Sequence, residues 1–375
     1  MTATGAGDAP NVVDVVALGE SMVAFLPTRP GRLADVPSFD RGIGGAESNV
    51  ACVLAAAGHP ARWVSSVGAD GFGDHLVEAI GGYGVDVSAV RRDPARSTGV
   101  YFRTAGDRAG DGHEVAYYRA GSAASAMTVT DVDMAAVRAG RILHLSGITA
   151  ALSPGCLGLM RELTGPAAGR PAVSFDVNHR PGLWQDAGGA RVLLELARDA
   201  DIVFVGEDEA EAAWGVTGGP GAIRELLDEP ATLVVKQGAA GATVFEREPE
   251  SGGRPAGGRG LPVAGSPAPP GPGRPVRVAE RAPRVDVVAP VGAGDAFAAG
   301  FLSGTLRRLP LRDRLRHGHL WAAAALTVAG DLAAPPARDH ADRLVALDDA
   351  AWGTLRLGPG WTHAVDRAPE EVRTP

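Results

Sequence analysis

Short apolar runs rich in Val and Ile recur along the chain, and Ala/Leu-rich stretches of helical length separate them. VVDVVALG (12–19), ARWVSSVG (61–68), RILHLSG (141–147), AVSFDVN (172–178), DIVFVG (201–206) and TLVVKQG (232–238) read as buried strands. ESNVACVLAAAG and GARVLLELARDA are examples of the helix-like stretches between them. Strands that are apolar without alternation, each followed by a helix, predict an α/β domain whose mainly parallel sheet is covered on both faces. Ligands of such sheets bind beyond the carboxyl ends of the strands. Glu20, Gly68, Gly147, Asn178 and Gly238 close these strands, so chemistry is expected along that edge.

Two regions break the rhythm. SFDRGIGGAE (38–47) and the segment 98–125, with alternation in VYF and VAYYR, read as extended antiparallel pieces outside the main layer. They predict a small β-sheet lid over the carboxyl edge, drawn from about 20–45 and 97–125. Residues 248–275 are almost entirely Gly, Pro, Arg, Ser and Ala, too poor in apolar surface to order themselves, and predict a disordered insertion within one domain spanning 12–350. Flexible tails are expected at 1–11 and 359–375.

Composition narrows the function. With 36 Lys+Arg against 44 Asp+Glu, the 375-residue chain has net charge −8, which speaks against binding nucleic acid or an anionic membrane through bulk charge. Any anionic substrate must therefore meet local cations. Lys236 is the only lysine. Cys52 and Cys156, far apart and each in an apolar run, read as buried thiols of a reducing cytosol. MTATGAGDAPN lacks the features of a signal peptide, and no apolar run approaches about 18 residues, so a cytoplasmic protein is expected.

The stretch richest in chemistry is APVGAGDAFAAG (289–300). Gly292 and Gly294 permit a tight turn, and the apolar spacing after Asp295 predicts a helix whose first N–H groups point at a ligand. It is not a dinucleotide fingerprint, because Phe297 stands where the third glycine is wanted, and it lacks the Gly-Lys-Ser/Thr of a P-loop. Asp295 reads in two ways: as a helix N-cap, or as the base that takes a proton from a hydroxyl attacking a phosphoryl group held by the helix N–H groups. GIGGAESNVA likewise offers either a packing turn or, through Gly44, Gly45 and Asn49, a close approach to a polyol.

In order and spacing, GGAESNVA, VGADGFGDHL (67–76) and VGAGDAFAAGF resemble the PfkB/ribokinase family of sugar kinases. The resemblance implies a ribokinase-like three-layer α/β/α domain with a β-sheet lid, ATP and Mg²⁺ as cofactors, and transfer to a primary hydroxyl. It implies Asp295 as base and Gly292, Ala293 and Gly294 as anion hole. GVYFR, YYRAGSAAS, LHLSGIT and FDVNHRPGLW look most like the 2-keto-3-deoxygluconate kinases within it. A sugar-acid substrate suits Arg119 and Arg180, whose guanidinium groups match a carboxylate, although both could be surface arginines. Tyr101, Tyr117 and Asn178 would line the sugar, or the tyrosines would serve lid packing.

KQGAAGA matches the family's nucleotide turn, which implies ATP contacts from Lys236, Gly238, Ala240 and Gly241, with His319 near the adenine. Glu209 in GEDEAE matches the acid that organises Mg²⁺ through water; an exposed acid at a helix start is the alternative. Three positions depart from the family. Gly206 replaces an Asn that touches nucleotide phosphates, His319 replaces an Asn or small residue, and Ala289 replaces the Asp of potassium-activated members, which speaks against a monovalent-cation site. The competing readings are a kinase for a neutral ketose or nucleoside, and a sugar-binding protein on a degenerate kinase fold. An intact Asp295 argues against the second. A nicotinamide oxidoreductase is disfavoured because GESMVAF, not Gly-x-Gly-x-x-Gly, follows the first strand. The sequence does not give the oligomeric state; lid sheets with exposed edges often pair in the family it resembles, which makes a homo-oligomer through the lid one implied arrangement.

Overall fold

The computed structural model describes residues 12–104, 114–184, 188–247 and 276–363. The expected insertion at 248–275 and the tails at 1–11 and 364–375 lie outside them. An eight-stranded sheet runs Val276–Glu280, Ala242–Glu246, Thr232–Lys236, Ile202–Gly206, Ala172–Asp176, Gly140–Ser146, Val13–Leu18, Ala61–Val64. From Ala61–Val64 to Thr232–Lys236 every neighbour is parallel, and the last two strands join antiparallel. All six apolar runs read as strands are present. ARWVSSVG, however, breaks after Val64, and Ser66–Gly68 pairs instead with Arg91–Asp93 in a separate two-stranded sheet.

Side chains alternate across each strand, which divides the core in two. Val16, Leu143, Val173 and Val203 pack on one face against the helices Pro154–Thr164 and Gly188–Asp199. Val15, Ile142, Phe204 and Val234 pack on the other against Ala293–Leu306 and Leu311–Leu326. The result is three layers, a ribokinase-like α/β/α fold.

The lid is a four-stranded sheet in the order Phe39–Gly44, Met22–Pro27, Val100–Arg103, Val115–Tyr118. Its outer pairs are antiparallel as expected, but the central pair, Met22–Pro27 with Val100–Arg103, is parallel. Each half of the lid is a separate excursion of the chain, so its first strand leaves the domain in the same direction as the other's. Aromatic rings bind the halves, with Phe25 stacked on Phe102 at 4.7 Å between centroids and Phe39 edge-on to Phe102 at 5.2 Å.

The helices Ala293–Leu306 and Leu311–Leu326 approach closely at three glycines. A Cβ on Gly300 would stand 2.5 Å from the carbonyl oxygen of His317, and one on Gly318 would stand 2.9 Å from the ring of Phe297. At Gly304 the backbone of Arg314 would lie at 3.0 Å. Beyond Gly358 the chain is held further than the sequence implied: Trp361 sits in a short turn, Trp361–His363, with its ring 5.9 Å from His340. Cys52 and Cys156 are free and buried, and burial pushes the Cys52 thiol up to about 12.

Because Gly300 seats the helix that begins at Gly292, Gly300→Val should destabilise the fold by about 1–3 kcal/mol through overpacking. Denaturant unfolding should show that loss, with the midpoint lowered and the slope retained.

Candidate active site

The helix Ala293–Leu306 begins at the carboxyl edge of the sheet, after a left-handed Gly292 with φ 77°. A Cβ there would lie 2.0 Å from the carbonyl oxygen of Asp331, so only glycine makes this turn. The first intrahelical bond runs from Ala296 N–H to the Gly292 carbonyl, which leaves the N–H groups of Ala293, Gly294 and Asp295 outside the helical ladder. This is an anion hole in form. Asp295 is the third helical residue, and no side chain caps the helix, so the N-cap reading is set aside.

Asn49, on the neighbouring helix Ala46–Ala56, donates from its amide nitrogen to Asp295 Oδ2 at 2.8 Å. Asp295 Oδ1 takes no hydrogen bond among the described residues. The Asp295 carboxyl is pushed up to about 7, first because the surrounding protein strips water from it, while the Asn49 bond opposes the rise. The nearby charge of Asp176 adds to the rise, and Lys236 and Arg180 counter it. The residue still keeps an open face, being half-buried.

Lys236, at the end of Thr232–Lys236, donates to both carboxylate oxygens of the buried Asp176, at 2.9 and 3.1 Å. A Cβ on Gly294 would lie 3.6 Å from the Lys236 nitrogen, so the ammonium group sits against the anion turn. Burial alone would lower its affinity for a proton; Asp176, Glu209 and Asp295 outweigh that and leave it raised and charged. Lys236 was expected at the nucleotide; it stands beside Gly294, bonded to Asp176. Asp176 was not singled out in the sequence.

The residues expected around the sugar divide. Arg180 is half-exposed, its Nη1 bonded to the His179 carbonyl at 2.9 Å and 3.5 Å from Glu209 Oε1. Asn178, held at φ 42°, buries an Oδ1 without a partner among the described residues. Tyr117 is exposed and stands 5.6 Å, ring to ring, from Tyr101 across the lid strands. Tyr101 does not present its hydroxyl to the cleft: it is buried and donates to Asp331 Oδ2 at 2.5 Å. Arg119 is not a free cation either, because it is ion-paired with the buried Glu20, which also accepts from Ser122 at 2.6 Å. Desolvation raises the Glu20 carboxyl despite that partner. Gly44 and Gly45 have a packing reason to be glycine, since a Cβ would meet the Tyr101 hydroxyl at 2.3 Å and the Glu20 carbonyl at 2.4 Å.

The nucleotide residues divide too. Gly238 and Ala240 lie in an exposed 3-10 turn, Gly238–Ala240. Gly241 faces inward, where a Cβ would stand 2.1 Å from the Glu280 carbonyl, so it serves strand packing. His319 is likewise enclosed, edge-on to Phe297 and bonded to the Glu280 carbonyl at 3.2 Å, with burial pushing it down to about 4. It leaves no open ring for an adenine. Glu209 Oε2 accepts from the Gly206 N–H at 2.8 Å and closes the start of Glu207–Trp214. A Cβ on Gly206 would stand 2.5 Å from Asp208 Oδ1, so the room of the missing Asn side chain holds a carboxylate that sequence reading passed over. Among the described residues no group of three or more His, Cys, Asp or Glu could hold a metal. None of the described helices is long and apolar enough to cross a membrane.

The model of the pfkB family carbohydrate kinases matches residues 13–338. The chain belongs to this family. This kinase is 34% identical to the 2-dehydro-3-deoxygluconokinase of Bacillus subtilis (strain 168) over 87% of its own chain and 94% of the relative. It is 32% identical to the Thermoproteus tenax enzyme of the same name over 89% and 94%. A probable fructokinase of Arabidopsis thaliana is 30% identical over 84% and 77%. The crystal structure of a PfkB protein from Polaromonas sp. JS666 superposes with TM-score 0.71 at 33% identity, over 88% of this kinase and 99% of that chain. This kinase is therefore a phosphotransferase that acts on an alcohol group.

Asp295→Asn keeps the shape and the Asn49 contact but removes the carboxylate expected to act as base, and on that expectation kcat should fall by about 10²–10⁴ with substrate binding retained. Turnover close to the parent's would refute the role. Wild-type kcat/KM should lose about tenfold per pH unit below about 7, where Asp295 holds a proton. Stability runs the other way. A carboxyl raised above its ordinary value contributes stability at low pH that is lost as pH rises through about 7. Asp295→Asn should thus melt above the parent at pH 8 and gain nothing at pH 4, as a pair of thermal melts would report.

Proposed function

We propose that this kinase transfers the γ-phosphoryl group of ATP to the terminal hydroxyl of 2-keto-3-deoxygluconate (2-dehydro-3-deoxygluconate). The observation that carries the reading is Asp295 itself, a half-dehydrated carboxylate with one oxygen held by Asn49 and the other free beside an anion turn. In its ionised form it takes the proton of the acceptor hydroxyl as the oxygen–phosphorus bond forms and the bond from the γ-phosphorus to the bridging oxygen of ADP breaks. The N–H groups of the Gly292 turn and the ammonium of Lys236 stabilise negative charge on the phosphoryl oxygens. Asp176 keeps that ammonium protonated and aimed.

Mg²⁺, carried on the nucleotide's phosphates, would neutralise part of their charge. The described residues fit a metal held mainly by phosphate and water, since Glu209 is engaged by Gly206 and Arg180, Asp176 by Lys236, and the exposed Asp208 adds one further carboxylate. The ATP base and ribose would lie along the exposed Gly238–Ala240 turn and the apolar pair Val287 and Val288, both exposed just before the anion turn.

For the acceptor, Arg180 is the cation with an open side near Asp295, and the similarity to two 2-dehydro-3-deoxygluconokinases agrees with a carboxylate there. A neutral ketose is the second reading, favoured by the capture of Arg119 by Glu20 and by the similarity to a fructokinase. An ADP-release assay over sugar acids and neutral sugars separates them. The keto-acid should be preferred, and Arg180→Ala should cost about 10–100-fold in kcat/KM for it but little for fructose. Turnover of fructose or ribose without the keto-acid would overturn the assignment.

A further inference from the structure

Asp331 lies in the loop after the helix Leu311–Leu326, and the proposed transfer reaction leaves it without a part. It is nevertheless among the most connected buried carboxylates of the molecule. Its Oδ2 accepts from the Tyr101 hydroxyl at 2.5 Å and its Oδ1 from Arg103 Nη2 at 2.7 Å. The same guanidinium nitrogen reaches the Ala329 carbonyl at 3.0 Å. Tyr101 and Arg103 are two apart on the lid strand Val100–Arg103, so both side chains leave the same face of the lid.

The other side of Asp331 is its backbone, and that backbone packs on the anion turn: its carbonyl oxygen occupies the space a Gly292 side chain would need. At Gly44, the end of another lid strand, an added Cβ would fall 2.3 Å from the Tyr101 hydroxyl and 2.8 Å from Asp331 Oδ2. One residue thus touches the lid through its side chain and the phosphoryl site through its main chain. The pairing is costly to build. Asp331, Tyr101 and Arg103 are all buried, and a carboxylate withdrawn from water repays that only when it is paired and hydrogen-bonded, as Asp331 is through both oxygens. Removing the tyrosine hydroxyl would leave the ion pair in place, which makes the contact separable from folding.

We infer that Asp331 is a positioning residue that latches the lid strand Val100–Arg103 to the Gly292 anion turn, so that lid seating and the geometry of phosphoryl transfer are coupled. The inference rests on reading the Gly292 turn as the transfer site. A lid so held excludes water from the phosphoryl group and fixes the acceptor side of the cleft.

The test uses Tyr101→Phe, Asp331→Asn and the double variant of the full chain. In hydrogen exchange, amides of Val100–Arg103 should exchange about tenfold faster in each single variant, with Ala172–Asp176 unchanged. In turnover, the acceptor KM should rise about tenfold with a smaller change in kcat, and ADP released per acceptor phosphorylated should climb above the parent's ratio. The double variant should add little to either single one, as partners in one contact do. Parental lid exchange and parental acceptor KM in both single variants would overturn the latch, and so would equal acceleration in the core strands or additive effects in the double variant. Should the parent phosphorylate no sugar, the proposed function falls, and the exchange measurement still decides the latch.

Discussion

The hydrogen bond from Asn49 to Asp295 joins two helices from opposite ends of the chain at the point where the second begins. Without it, a carboxylate so stripped of water would have no fixed orientation and would hold its proton more tightly still. With it, one oxygen is anchored and the other is free, and the proton affinity sits in the range where a base at neutral pH is effective. The surrounding structure serves this arrangement. Gly292 supplies the turn, the glycine contacts between the last long helices seat the helix behind it, and Asp176 holds Lys236 against the same turn.

Much of the fold was legible because it rests on local rules. Buried parallel strands leave unbroken apolar runs, and these located the sheet and its carboxyl edge. The lid was visible in the alternation of VYF and VAYYR, although its central parallel pairing was not, since strand direction depends on where distant segments leave the domain. Asp295 and its turn were legible as motif and as helix start. The misreadings share a cause. Arg119 looked free because Glu20 is far from it in sequence, and Tyr101 looked like a sugar contact because Asp331 is farther still. His319 and Gly241 were assigned by position in a motif, whereas the Glu280 strand that encloses both could not be placed from spacing. Asp176, Asp208 and Asp331 were passed over because an isolated acid carries no pattern; only contact distinguishes it.

The departures from the family pattern also change meaning. Gly206 read as the loss of a phosphate contact, yet Asp208, two residues on, turns its carboxylate into the room that a side chain at 206 would need. Arg119 paired with Glu20 makes the acceptor side of the cleft less positive than two free arginines would, which places more of any carboxylate recognition on Arg180. Charge in this cleft is thus set by pairs, and a residue taken alone misstates it.

One consequence follows from the confinement of Lys236. It is the only lysine in the chain, it is held against Asp176, and it stays protonated. The protein therefore carries no lysine amine outside the cleft, and the permanent side-chain positive charge there is entirely guanidinium. Acylation, carbamylation and the enzymatic conjugations that need a lysine nitrogen find no surface target. An amine-directed reagent that modified a side chain would have to reach Lys236 beside the Gly292 turn and displace a proton there, so such labelling would report on the cleft alone.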